Sequence, residues 1–200
     1  MTNQLLNFIR YLSITVYQVV GLSFICAFLL SSLFLLIGKD GWKSFLKKWW
    51  NTLRKDKLFR YRFFFAFSTF GVLGITLLTR RIWYRPWENV MGNFAIIGSN
   101  GRLDENSLNN ILLFIPFSVF MCASSIGRIN RYVNKKGKLS YGRVVLCMCL
   151  VSFVFSTAIE CCQSVFWLGT FQLADIFFNT VGGLIGGISY CLWKNLKKGK

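Results

Sequence analysis

The chain lacks histidine entirely, and its acids are scarce, seven Asp and Glu against 24 Lys and Arg in 200 residues. Without histidine the seven cysteines make a poor metal set. Cys26, Cys122, Cys147, Cys149, Cys161, Cys162 and Cys191 all fall in apolar segments and form no C-x-x-C pair, the spacing from which structural zinc sites are built. They read as small apolar packing residues, and no metal or other cofactor is expected. No recognisable nucleophile motif is present, which counts against covalent catalysis. No small-x-small cleavage site follows the first apolar run, which is also too long for the hydrophobic region of a signal peptide, so an N-terminal anchor is expected. No internal repeat is visible.

Long apolar runs are what the chain does have. Hydrophobic residues make up 54% of it, and its mean hydropathy is +0.48. About 20 mostly apolar residues cross a bilayer as a helix, and five runs approach or exceed that length: Tyr11 to Ile37, Phe63 to Thr79, Ile111 to Ser125, Val144 to Leu168 and Asp175 to Trp193. The first three are free of charge, and the fourth carries only Glu160. The third is short and contains Pro116, which removes a backbone hydrogen bond and is expected to kink or break it. The fold expected is all-α, a polytopic transmembrane bundle of about five helices.

A formal net charge of +17 invites a nucleic-acid reading, but the placement of the charges answers better than their number. One basic residue, Arg10, precedes the first run, nine lie between the first and second, four between the second and third, and six between the third and fourth. None lies between the fourth and fifth, and four come after the fifth. Alternate loops share a side, so nineteen of the 24 fall on one side of the membrane. The positive-inside rule puts that side in the cytoplasm, with the N-terminus outside, the C-terminus inside and no nucleic acid as partner. Within the first basic loop Trp42, Phe45, Leu46, Trp49, Trp50 and Leu53 recur at helical spacing between Lys43, Lys47 and Lys48. An interfacial amphipathic helix is expected there. Its lysines serve either as a topology signal or as a site for anionic lipids, each basic residue near such a leaflet being worth about 1 kcal/mol.

Polar residues inside the spans are the best functional pointers, because an ionisable group at a helix centre costs on the order of 3 kcal/mol on insertion scales. Ser152, Ser156, Glu160 and Gln163 share one face of the fourth span, and Asp175, Asn179, Gly182 and Gly186 one face of the fifth. Asn106, Asn109 and Asn110 enter the third, while Arg80 and Arg81 come after the second. Glu160 lies about 12 Å below the end of its span at 1.5 Å per residue. By the charge-derived topology all these groups converge in the extracytoplasmic half of the bilayer. Gly182 with Gly186, and Gly183 with Gly187, form two overlapping small-x-x-x-small pairs that admit a close neighbouring helix. For Glu160, Gln163, Asp175 and Asn179 two readings stand together, an interhelical network that only holds the bundle and a functional pocket.

At these residues the sequence resembles the VanZ-like family, named for a protein of glycopeptide (teicoplanin) resistance. The matching blocks are N-N-I-L-L-F-I-P-F at Asn109 to Phe117, E-x-x-Q at Glu160 to Gln163, and G-T-F-Q-L-A-D-I-F-F-N-T-V-G-G at Gly169 to Gly183. The resemblance implies a four-helix domain over residues 63–193, to which residues 1–62 add an N-terminal span with its basic amphipathic segment and residues 194–200 a basic tail. Many relatives carry an Arg after the first glycine of the last block and paired acids further on; here Thr170 stands at the first place and Asp175 is the lone acid. The resemblance further implies a bacterial plasma-membrane protein that modulates susceptibility to lipid-tailed glycopeptides through an outward-facing pocket for an amphiphile. Glu160 and Asp175 would supply charge there, Gln163, Asn109, Asn110 and Asn179 would orient by hydrogen bonds, and Arg80 or Arg81 would pair with the acids or with a phosphate. An intramembrane enzyme acting on lipid-linked envelope precursors with Glu160 as base, or a small lipid transporter, are the alternatives.

Overall fold

The computed structural model describes residues 2–33, 35, 41–80, 82–97, 103–133 and 140–197, with side chains outside the description for residues 2–5 and 126–133. Six helices succeed one another: α1 (Thr2–Leu33), α2 (Trp42–Lys55), α3 (Lys57–Leu73), α4 (Glu105–Val133), α5 (Tyr141–Val165) and α6 (Leu173–Leu196). A wider π-helical turn, Gly74–Leu78, continues α3. No strand occurs among the described residues, only a single antiparallel bridge between Ile97 and Leu103. Among the described residues five helical stretches are long and apolar enough to cross a membrane: Leu6–Leu33, Lys57–Leu78, Glu105–Ser125, Tyr141–Val165 and Leu173–Leu196. The all-α polytopic bundle expected from the sequence is what the chain forms. Of the basic residues used for the charge count, Lys39, Arg81, Arg102, Lys135, Lys136, Lys138, Lys198 and Lys200 lie outside the described residues.

Helix α6 sits between α4 and α5, α4 lies between α6 and α3, and α1 flanks α3. Lipid is as apolar as leucine, so helices in a membrane associate through van der Waals packing and hydrogen bonds rather than through burial from water. The glycines of α6 show how this is done. A Cβ on Gly182 would collide with the Ile111 carbonyl oxygen, and one on Gly186 would lie 2.6 Å from that of Ile115, both on α4. One on Gly183 would collide with Ser152 Oγ, and one on Gly187 would press on Met148 Cβ at 3.2 Å, both on α5. The two small-residue pairs therefore serve two different neighbours. Beside them Phe114 and Phe117 of α4 pack with Val72 of α3 and Ile159 of α5, the Phe117 and Phe155 rings stacking at 5.0 Å. Leu150, Phe153 and Val154 of α5 and Ile188 and Leu192 of α6 point outward, as lipid-facing residues do.

Three expectations need correction. The third span is neither short nor broken, since α4 is helical for 29 residues straight through Pro116. Its first turn is built by Asp104, whose carboxylate accepts from the Ser107 N–H at 3.2 Å and from the Ser107 hydroxyl, so Asn106, Asn109 and Asn110 all become helical. At Pro116 the neighbouring turn is clamped by the close approach of Gly186, and packing of this kind lets membrane helices tolerate a lost hydrogen bond. The second span starts at Lys57 rather than Phe63 because Asp56 both ends α2, donating its N–H to the Thr52 carbonyl at 2.8 Å, and caps α3, accepting from the Leu58 N–H at 2.8 Å. The division drawn after residue 62 consequently falls within α3. Helix α2, finally, does not turn all its aromatic residues to the interface. Trp49 is buried between Phe28, Phe59 and Phe63 and donates its indole N–H to Ser31 Oγ at 3.0 Å, while Trp42 and Trp50 stay exposed.

The glycine contacts set the first prediction. Gly182→Ala forces a methyl against a backbone carbonyl that cannot swing away, and overpacking of this kind costs about 1–3 kcal/mol. Gly21→Ala, on a helix face with nothing within 4 Å of the new Cβ, changes stability by no more than about 1 kcal/mol. Thermal unfolding of the purified variants in detergent checks both, and equal melting of Gly182→Ala and wild type would refute the close packing of α4 on α6.

Candidate functional site

Four elements bring their polar groups to one end of the bundle: the last turns of α5, the first turns of α4 and α6, and the residues just after the π-turn. The first backbone N–H groups of a helix have no partner within it, and inside a membrane protein they need one. At the start of α6 three of them are satisfied from elsewhere. Glu160 Oε2, from α5, accepts from the Gln172 N–H at 2.8 Å. The Val90 carbonyl accepts from Leu173 N–H at 2.8 Å, and that of Met91 from Ala174 N–H at 3.2 Å.

Gln172 is the N-cap of α6, and Asp175 stands three residues on. In a capping box an acid at that third position folds back onto the N-cap N–H. Here Glu160 fills that role from a neighbouring helix, and Asp175 is released sideways. Its Oδ1 accepts from Asn110 Nδ2 of α4 at 2.8 Å, and its Oδ2 lies 3.6 Å from Arg80 Nη2. Both carboxylates sit close to the first turn of α6, where the helix dipole favours negative charge. Glu160 is 2% exposed, whereas the Arg80 side chain is 36% exposed, so the arginine is the open edge of the cluster.

The other expected residues are placed differently. Gln163 donates from Nε2 to the Thr76 carbonyl at 2.8 Å, capping the C-terminal end of the π-turn. Asn179 donates from Nδ2 to Ser156 Oγ at 2.7 Å, deeper between α5 and α6, and Ser152 meets Ser118 of α4 at 3.3 Å. Each of these amides gives one N–H to the protein. Asn109 is buried, and its Oδ1, like that of Asn179, has no hydrogen-bond partner among the described residues. Arg81 lies outside the described residues. The structure thus joins Arg80, Asn110, Glu160 and Asp175 into one cluster and ties Gln163 and Asn179 into the bundle.

Sequence reasoning missed the cover over this end. Residues 82–97 lie alongside the α5–α6 connection: the Trp83 N–H donates to the Trp167 carbonyl at 2.7 Å and the Phe171 N–H to that of Pro86 at 2.8 Å. The rings of Tyr84 and Trp167 meet at 5.8 Å, Trp87 and Phe171 at 5.5 Å, and Phe94 and Phe177 at 5.7 Å. Gly92 permits this. With φ at +68°, and with Ala174 Cβ only 2.9 Å from where its own Cβ would sit, it allows the segment to lie directly on α6. Trp167 ends α5 in the left-handed region, φ 57°, while the Leu168 N–H reaches back to the Gln163 carbonyl at 2.8 Å, a Schellman closure with tryptophan where glycine is usual. The cover exposes large apolar residues, Ile82, Trp83, Tyr84, Trp87 and Met91, next to Val165 and Phe166 at the end of α5, together with the Arg85–Glu88 ion pair. Tryptophan and tyrosine gather where protein meets the membrane–water interface, and that enrichment was the signal available in the sequence.

Two outcomes test this geometry. In a double-mutant cycle, Asn110→Ala and Asp175→Ala couple by about 0.6 to 1.7 kcal/mol, the range of hydrogen bonds between membrane helices, read as unfolding free energy in mixed micelles; additive losses would separate the two side chains. Gly92→Val lifts the cover and hastens protease cleavage between residues 82 and 97 at unchanged helix content by circular dichroism, and an unchanged cleavage rate would argue against the packing.

No curated protein and no solved structure matches the chain. A family model described as VanZ/LLP1 does, over residues 8–194. The match takes in α1 and α2 as well as the four helices that form the polar end, and with five apolar spans behind it, the chain is a multi-pass membrane protein that belongs to the VanZ/LLP1 family.

Proposed function

We propose that the protein resides in a bacterial plasma membrane with its N-terminus and polar end outside, where it engages an amphiphile and lowers the cell's susceptibility to lipid-tailed glycopeptides. Support for the orientation comes from the nineteen basic residues assigned to the opposite side. The observation that carries the reading is the half-open cluster of Arg80, Asp175, Asn110 and Glu160 beside an exposed aromatic cover. An amphiphile needs both parts. Arg80 offers guanidinium donors to a carboxylate or phosphate, and the Asp175 carboxylate beside it accepts from an amine or hydroxyl of the same head. Trp83, Tyr84, Trp87 and Phe166 give an acyl tail an apolar surface at the depth where head and tail meet. Binding of this kind holds a lipid-tailed drug at the membrane surface and away from its wall precursor. A glycopeptide without the tail gains nothing from the aromatic surface and escapes.

Expression in a susceptible Gram-positive host tests the reading with teicoplanin and vancomycin side by side. The inhibitory concentration of teicoplanin rises several-fold and that of vancomycin does not. Arg80→Gln and Asp175→Asn each shrink the rise at equal protein level in the membrane. Equal teicoplanin susceptibility with and without the well-expressed protein would end the proposal.

A further inference from the structure

At the opposite end of α3, a groove opens on the flank where α1, α3 and α4 meet. It encloses about 380 Å³ and is lined by Leu30 of α1, Arg62, Phe65 and Thr69 of α3, and Ser124 and Ser125 of α4. Leu30 and Phe70 belong also to a second cavity of about 420 Å³, whose remaining walls include Cys26, Leu29, Leu33 and Phe45. One cavity is almost wholly apolar, and the other carries a cation.

Arg62 is the unusual member. It lies in the second turn of the Lys57–Leu78 span, is exposed, and has no carboxylate partner among the described residues, whose ion pairs are Arg80–Asp175 and Arg85–Glu88. Arg60, two residues earlier, is occupied, donating to the Leu53 and Arg54 carbonyls at 3.1 and 2.7 Å to close the end of α2. A guanidinium within a membrane span is costly unless it is paired, and its fork fits phosphate. Ser124 donates its hydroxyl to the Met121 carbonyl at 3.1 Å. Ser125, 3.4 Å from Ser124 Oγ, keeps its proton for either that oxygen or a ligand. On α2, which precedes α3 directly, Lys47, Lys48 and Lys55 with Asp56 line a separate depression of net positive charge that disfavours the ammonium of a zwitterionic head and attracts an anionic one.

We propose that this groove binds one anionic phospholipid, its phosphate on Arg62 and Ser125 and its acyl chains over Phe65, Phe70 and Leu30 toward the apolar cavity. The lysines of α2 concentrate such lipids, and the groove holds one of them. This assignment is independent of the function proposed for the polar end.

Native mass spectrometry of the full-length protein in detergent tests it, with phosphatidylglycerol and phosphatidylcholine offered as an equimolar mixture. Wild type retains one phosphatidylglycerol in preference to phosphatidylcholine. Arg62→Gln, on an exposed side chain, lowers that preference about tenfold, the scale of one charge-assisted hydrogen-bonded contact, at unchanged melting temperature. Arg62→Lys keeps part of it, and Thr69→Phe, which fills the groove, reduces retention of both lipids. Excess inorganic phosphate does not displace the lipid. Undiminished preference in Arg62→Gln with loss in the Lys47→Gln, Lys48→Gln double variant would place the lipid on α2 and overturn the proposal, as would displacement by inorganic phosphate alone.

Discussion

The approach of α6 to α4 on one side and to α5 on the other is the constraint on which the rest of the bundle depends. Gly182 and Gly186 admit the α4 backbone, and Gly183 and Gly187 admit α5. Without those gaps the short polar side chains could not span the distance between helices. Asparagine and serine reach only a few ångströms, yet Asn110 meets Asp175 and Asn179 meets Ser156 at 2.8 and 2.7 Å. Each hydrogen bond is worth little by itself in a membrane. Their value lies in fixing rotation and depth, since a helix that slid by one turn would leave Asp175 without Asn110.

That registration makes a charged cluster tolerable. The start of α6 presents N–H groups that have to be answered inside the protein, and Glu160 and the carbonyls of residues 90 and 91 answer them. Glu160 is thereby fixed by a structural need, which leaves Asp175 free to face Asn110 and Arg80. The same contacts that hold the bundle therefore also shape the site proposed for a ligand. The two are divided by position: Gln163, Asn179 and Ser156 are turned inward, and Arg80 is turned out.

How much of this was legible in the sequence depended on whether a periodicity carried it. Five apolar runs, the polar faces of α5 and α6 and the paired glycines all repeat at helical spacing, and all emerge from counting. The exceptions have no period. Asp56 ends one helix and begins the next, and nothing in the run Phe63 to Thr79 announces that the span takes in six residues before it. Pro116 argues for a break by its own chemistry, and yet α4 continues through it, packed there against Gly186. The π-turn and the Thr76 carbonyl that Gln163 caps depend on a partner 87 residues away. The cover over residues 82–97 was visible only as scattered tryptophans, because it is held by backbone bonds to the α5–α6 connection and by a single left-handed glycine, Gly92, neither of which repeats at any spacing.

The inward turn of Trp49 bears on the meaning of the basic charge. An amphipathic helix at an interface is oriented only by its apolar face, whereas α2 is also held by the protein. Burial of Trp49 among Phe28, Phe59 and Phe63, with its indole tied to Ser31, fixes the rotation of α2 against α1 and α3. Arg60 fastens the end of the same helix. The lysines are consequently held as an oriented array whose depression is lined by Lys47, Lys48 and Lys55. An oriented array does two things with the same residues. In the proposed orientation it keeps this end of the bundle on one side of the membrane, because each charge resists crossing the bilayer, and it would present a stationary field to lipid headgroups beside it. On the proposed reading, topology and lipid attraction are one electrostatic property of α2, and the packing of Trp49 holds the lysines in place for both.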